Sequence, residues 1–394
     1  MKLCKENFES LRVIFPEVCL VEADFCYSIR IPRSLLRGIL IVVLFHPQRD
    51  LHNFKEREFM PHVGIIANPA SGKDIRRLVA HASVFSNNEK VNILQRALLA
   101  LDAIGIDRVS IMPDYYSIGE RALDGLKLSS LRADILDIPM TSTDEDSTTA
   151  ARRLCEMNVG SIVVLGGDGT NRVVAKGCGC VPIVAISTGT NNVFPVMVEG
   201  TVAGIAAGLV ALGAVDAETV TYQAKRLEVW IDGELADIAL VDVLSSCDLW
   251  IATRAVWDLS HIQEIVLTRA EPGSIGMSSV GGCFQAVSAR DKYGMYLALG
   301  PGGTQVLAPT GPGLVTLVPV REHRLVPLGD TVTLSSDPCT IALDGERYIE
   351  VYGTRTITVR LTNNGPRVVD IVRCMEEATR CGYFQRSGNS KERD

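Results

Sequence analysis

GSIVVLGGDGTNRVVAKG, residues 160–177, decides the fold. Ile162 to Leu165 is an aliphatic run with no polar alternation, the pattern of a strand buried on both faces of a parallel sheet. Gly166-Gly167-Asp168-Gly169-Thr170 breaks that strand, and Thr170 to Gly177 carries helical spacing. The turn therefore lies at the carboxyl end of a strand and the start of a helix, where open α/β sheets bind ligands. Glycines let the backbone approach a phosphate, and helix amides with their dipole hold its charge. Asp168 among those glycines would repel a bare phosphate. Its carboxylate either engages a metal ion or takes a proton from a hydroxyl attacking phosphorus. A plain tight turn with a helix-capping Asp is the competing reading. The G-x-G-x-x-G fingerprint is absent here, and Ala67 and Asp74 break the P-loop pattern around Ser71-Gly72-Lys73.

Working outward, the same grammar repeats. HVGIIAN (62–68), RVSIMP (108–113), ADILDIP (133–139) and VPIVAIS (181–187) read as buried strands. Residues 73–84, 88–104, 115–128 and 144–157 have helical spacing between them. Thr143 or Asp144 suits the N-cap of the last of these, with Asp146 near the positive end of its dipole. Two more strand ends carry binding chemistry. Asn68-Pro69-Ala70-Ser71-Gly72-Lys73 offers a hydroxyl, an amide and a cation to a phosphate, although any strand-to-helix turn favours such residues. Ser187-Thr188-Gly189-Thr190-Asn191-Asn192 offers carboxamides that suit a base or ribose edge, or make an Asn-rich turn. The turns at 68–73 and 166–170, on one sheet, are expected to face one polyphosphate from opposite sides.

Near residue 215 the pattern changes to short strands broken by Gly and Pro, from KRLEVWID (225–232) to TITVRLT (356–362), with a helix expected only around 248–259. The fold class expected is α/β: a Rossmann-like parallel-sheet N-terminal domain over 60–215, then a β-sandwich-like second domain over 216–365. Residues 366–394 read as a strand, a closing helix and a tail. Gly273-Ser274-Ile275-Gly276-Met277-Ser278 and Leu343-Asp344-Gly345-Glu346 are loops of similar character, although an Asp-Gly pair is also a common hairpin turn.

At 394 residues the chain is long enough for two or three domains. Its net charge of −7, with no basic run, offers nucleic acid no electrostatic attraction. Eleven cysteines without a second pair near Cys178-Gly179-Cys180 complete no zinc site and fit a reducing, cytoplasmic setting. GILIVVLF (38–45), the longest apolar run, is too short to span a membrane, and no stable membrane association is expected. Residues 1–59 hold seven of the 22 aromatics and little periodicity beyond that run, and MKLCKENFES lacks the form of a secretory signal. They read as an atypical N-terminal extension, with the functional chain expected to begin at Met60.

NPASGKD, GGDGTNR and STGTNN, followed by a β-rich domain with DGE, resemble the superfamily of NAD kinases and diacylglycerol kinases over roughly residues 62–375. Asn87-Asn88-Glu89-Lys90, Arg254-Ala255-Val256-Trp257-Asp258 and SIGMSSVGGCFQAVSARDKYG are similar to the acetoin-operon X-protein branch, usually grouped with ATP-NAD kinases. The resemblance implies transfer of a phosphoryl group from ATP, with Mg²⁺ held through the phosphates, to a hydroxyl of NAD in a cleft between the domains. It implies a catalytic role for Asp168. Asn68, Ser71, Gly72, Lys73, Gly166, Gly167, Gly169, Thr170, Thr190, Asn191 and Asn192 are then expected at the nucleotide, with Asp242, Ser274, Ser278 and Asp344 at the acceptor. A homodimer or homotetramer through the second domain is also implied. Two family signatures are altered: Val241-Asp242 stands where NAD kinases carry an Asn-acid pair, and Asn192 stands where lipid kinases carry an acid. A lipid or small-alcohol kinase and a catalytically silent nucleotide-binding regulator of acetoin metabolism are the alternatives.

Overall fold

Aliphatic runs became the middle of a seven-stranded sheet. The computed structural model describes residues 60–72, 81, 84–247, 259–335 and 339–385, the side chains of Arg347 and Tyr348 excepted. The expectations for residues 1–59, the helices over 73–84 and 248–259, the 386–394 tail and the side chain of Lys73 lie outside those residues.

Strands β1 (His62–Ala67), β2 (Arg108–Ile111), β3 (Arg132–Ile135), β4 (Ser161–Gly166) and β5 (Ile183–Ser187) pair in parallel in the order β3-β2-β1-β4-β5. The order reverses between β1 and β4, and a crevice opens at such a switch point beyond the carboxyl ends of the strands. Both faces are covered. Val63, Ile65, Val163 and Leu165 meet the helices Asn87–Ala103 and Gly200–Ala211, whereas Ile66, Ile162 and Val164 meet Glu145–Glu156. That double burial is why these strands read as continuous apolar runs. Strand β6 (Thr221–Gln223), expected in the second domain, extends this sheet instead, beside a late strand that returns to it.

Of the two expected caps, Thr143 serves: its Oγ1 accepts from the Glu145 amide at 3.3 Å. Asp144 takes the N-cap position of Glu145–Glu156 but makes no side-chain cap bond. Asp146 reaches back to the amides of Thr141 and Ser142, both at 2.7 Å, and fastens the entering loop.

The second region stacks two antiparallel sheets, as a sandwich requires. β7 (Arg226–Ile231), β8 (Glu234–Ala239), β13 (Thr331–Leu334) and β16 (Ile357–Thr362) form one. β9 (Asp242–Ser246), β10 (Ile262–Leu267), β11 (Tyr293–Gly311), β12 (Leu314–Pro327), β14 (Cys339–Leu343) and β15 (Glu346–Val351) form the other. Leu227, Val359 and Leu361 from the first sheet pack on Val243, Val266 and Ile341 from the second. β17 (Arg367–Val369) then rejoins the parallel sheet between β5 and β6, and the helix Ile371–Arg380 closes the chain over it. Met60–Asp394 accordingly forms one compact unit. No described helix is long and apolar enough to cross a membrane.

Candidate active site at three strand ends

β1, β4 and β5 are neighbours, so the turns that follow them meet. Side chains tie the three together pairwise. Asn68 Nδ2 donates to Thr170 Oγ1 at 2.9 Å, joining the first turn to the second. Thr188 Oγ1 donates to Ser71 Oγ at 2.9 Å, joining the third to the first. Asp168 accepts from the amides of Val193, at 3.1 Å, and Phe194, at 2.8 Å, joining the second to the third. A triangle of turns results.

Two glycines are required by this closeness. Gly72 has φ +72°, and a Cβ there would stand 2.4 Å from the Thr188 carbonyl oxygen. A Cβ on Gly167 would stand 2.8 Å from Asn192 Oδ1. The helix Asp168–Ala175 starts at this point, and its first-turn amides have no intrahelical acceptor. Polar N–H groups beside a side-chain-free backbone make a fitting seat for phosphate oxygens. Asn192 Nδ2 is already committed to Ser187 Oγ at 2.8 Å, and Thr190 Oγ1 reaches Asn191 Oδ1 at 3.4 Å. Asn192 therefore shapes its own turn and covers Gly167, while Thr190 is exposed.

Lys90 was quoted in the sequence only as part of a branch motif, yet it organises the first turn. Its Nζ is buried and donates to the carbonyls of Asn68 and Ser71, each at 2.7 Å, and to Asn87 Oδ1 at 3.0 Å. Lys90→Met removes the buried cation that ties the Asn68 and Ser71 carbonyls together, leaving Asn68 O to the Ser71 amide and hydroxyl, and loosens the turn. We expect nucleotide affinity to fall about tenfold, the loss of one charge-assisted contact, measured by titration calorimetry; unchanged affinity refutes this role.

Asp168 sits at the floor with 9% of its surface exposed. Burial is the main cause that pushes its carboxyl up to about 7, followed by the charge of Asp344; the Phe194 and Val193 amides and Arg269 act in the opposite direction. A carboxyl so poised suits general-base work near neutrality.

The second region supplies the far wall. Arg172, buried on the Asp168 helix, reaches Asp237 at 3.1 Å and Asp344 at 3.6 Å, and Lys176 adds a 2.6 Å pair to Asp237. Three of the expected acceptor residues are placed differently from the expectation. Asp344 has a side-chain exposure of 0% and accepts from the amides of Leu240 and Val241 at 3.0 and 2.7 Å. Asp242 is buried and accepts from the Gly345 amide at 3.1 Å. Ser278 is buried between the Arg269 carbonyl and the Glu271 amide. All three hold backbone, because main-chain N–H and C=O groups buried at this junction need partners. Ser274 is half-buried and donates to the Glu271 carbonyl at 2.7 Å. Among the described residues no group of three or more His, Cys, Asp or Glu is placed to hold a metal ion.

Comparisons with known proteins agree in kind with the two-part architecture. Residues 63–215 match the ATP-NAD kinase N-terminal domain family. Residues 225–364 match the acetoin catabolism protein X C-terminal domain family. Acetoin catabolism protein X of Cupriavidus necator is 38% identical over 336 residues, covering 82% of this chain and 94% of that protein. Among solved structures, yeast NADH kinase complexed with NADH aligns with a TM-score of 0.47 and 13% identity, over 84% of this chain and 90% of that one.

Proposed function

The chain belongs to the acetoin catabolism protein X family, and from that premise we propose that it is an ATP-dependent phosphotransferase acting on the adenosine ribose 2′-hydroxyl of NAD. The observation that carries this reading is the triangle of turns closed around Asp168, because it puts a near-neutral carboxyl beside a phosphate seat. In this mechanism the Asn68–Gly72 and Gly166–Thr170 turns hold the ATP phosphates through backbone amides, and the Ser71 hydroxyl, which donates to the Asn68 carbonyl at 2.8 Å, turns its proton to a phosphate oxygen. Asp168 orients the acceptor hydroxyl and accepts its proton as the oxygen attacks the terminal phosphorus. Mg²⁺, carried on phosphate oxygens, supplies charge neutralisation when bound. First-turn amides of the Asp168 helix stabilise negative charge on the phosphoryl oxygens.

A second reading has its own support. Asp168 already accepts two amide bonds, and Asp242 and Asp344 are committed to backbone. A site so closed suits a nucleotide-binding regulator of acetoin metabolism that turns nothing over. One experiment separates the readings: protein, labelled ATP, Mg²⁺ and NAD⁺ are incubated, and label is sought in NADP⁺. Labelled NADP⁺ is the expected result. Calorimetric binding of ATP or NAD without ADP release in the presence of any acceptor refutes the enzyme and supports the regulator. ADP release only with lipid vesicles, on which the protein floats, refutes NAD as acceptor and supports a lipid kinase of the same superfamily.

A further inference from the structure

Arg269 lies just beyond β10 and is buried, an expensive place for a guanidinium. Its Nη1 donates to the Val193 carbonyl at 3.3 Å, and its Cζ lies 5.3 Å from the centre of the Phe194 ring. Val193 and Phe194 are the two residues whose amides Asp168 accepts. Arg269 and Asp168 thus grip one dipeptide, Arg269 through a carbonyl and a ring face, Asp168 through the amides. The backbone of Arg269 is fastened in turn: Ser278 Oγ donates to its carbonyl at 3.1 Å and accepts from the Glu271 amide at 3.1 Å. The expected acceptor loop is therefore connected to the carboxylate through this arginine. Its Glu271 contact is loose, at 3.8 Å, and its buried Nε has no hydrogen-bond partner among the described residues.

We propose that Arg269 is a positioning residue for phosphoryl transfer: it presses Val193-Phe194 against Asp168 and keeps that carboxylate ready to accept a proton. This rests on the reading of Asp168 as the group that meets the acceptor hydroxyl. The groups whose charge acts on Asp168 are Asp344, from the β14–β15 hairpin, and Arg269. Glu346 of the same hairpin lies near Gly169, Arg172 on the Asp168 helix pairs with Asp344, and Asp242 on β9 holds the Gly345 amide. Lys225 and Glu271 stand behind Arg269. Arg269 opposes the charge of Asp344, so removing it raises the pH at which Asp168 ionises.

The test compares the parent with Arg269→Gln, which keeps a donor without charge, and Arg269→Lys, which keeps charge without the planar fork. Asp carboxyl carbons are labelled with ¹³C, the Asp168 signal is assigned from its loss in Asp168→Asn, and each protein is titrated by NMR. Arg269→Gln is expected to raise the Asp168 midpoint by about one pH unit, the scale of one lost opposite charge, and Arg269→Lys to restore most of it. Turnover should fall about tenfold in Arg269→Gln, with its acid limb displaced in the same direction and KM for ATP unchanged. An unmoved Asp168 midpoint in a folded Arg269→Gln protein overturns the proposal. If no acceptor is turned over, the reading of the site fails, and the titration still decides whether Arg269 governs the carboxyl. If Arg269→Gln does not fold, Phe194→Leu, which removes the ring face beneath the guanidinium, decides: a raised Asp168 midpoint supports the grip, and an unmoved one refutes it.

Discussion

Asp168→Asn keeps the fold and lowers turnover by about two orders of magnitude or more, the scale of lost general-base assistance. The fold survives because Asp168 Oδ1 alone lies within bonding distance of both the Val193 and Phe194 amides, at 3.1 and 2.8 Å, and an amide oxygen replaces it there. Turnover falls because a carboxamide accepts no proton. The measurement is the rate of NADP⁺ formation at saturating ATP and NAD⁺, with circular dichroism to verify folding. Equal rates in variant and parent remove Asp168 from the mechanism.

The same carboxyl sets a pH dependence. Turnover rises with pH through an apparent midpoint of about 7 as the base ionises. Stability moves the other way. Between its ordinary 3.8 and about 7 the folded carboxyl holds a proton that the unfolded chain has released. This group's contribution to stability is therefore full below 3.8 and declines as pH rises to about 7. Asn at 168 carries no such charge, so from pH 5 to pH 8 the stability difference shifts in favour of the variant. Urea unfolding at the two pH values measures it.

Arg172→Met is expected to cost about 3–5 kcal/mol, the penalty for leaving buried charge without its partner. Arg172 is 1% exposed and serves Asp237 and Asp344, whose side chains are 7% and 0% exposed. Asp237 keeps a second cation, Lys176, at 2.6 Å. Because Arg172 belongs to the Asp168 helix and both carboxylates to the sandwich, this pair fastens the two walls of the crevice to each other. Adding Asp344→Asn to Arg172→Met removes the stranded charge and recovers part of the loss. Urea unfolding checks both expectations; an unchanged midpoint for Arg172→Met shows that the walls are held by apolar packing alone.

Local signals identified the elements that obey local physics. β4 and the turn after it were legible because a strand buried on both faces has no polar alternation, and glycines next to Asp have few other uses. The acceptor side was harder to read. Asp242, Ser278 and Asp344 have the residue types of ligand groups, but a carboxylate or hydroxyl near a turn serves equally well to satisfy buried backbone, and local spacing does not distinguish the uses. The helix start at 145 shows the same ambiguity: Thr143 caps the Glu145 amide, Asp144 makes no cap bond, and Asp146 fastens Thr141 and Ser142.

What the sequence alone determined was the parallel sheet, the sandwich after it and the three turns at neighbouring strand ends, since periodicity and turn chemistry act over a few residues. Tertiary structure alone decided which charges face one another. Lys90 meets Asn68, Arg172 meets Asp237 and Arg269 meets Val193 across 22, 65 and 76 residues of chain. A buried cation takes its meaning from the carbonyl or carboxylate that compensates its lost water, and only the folded chain brings that partner to it.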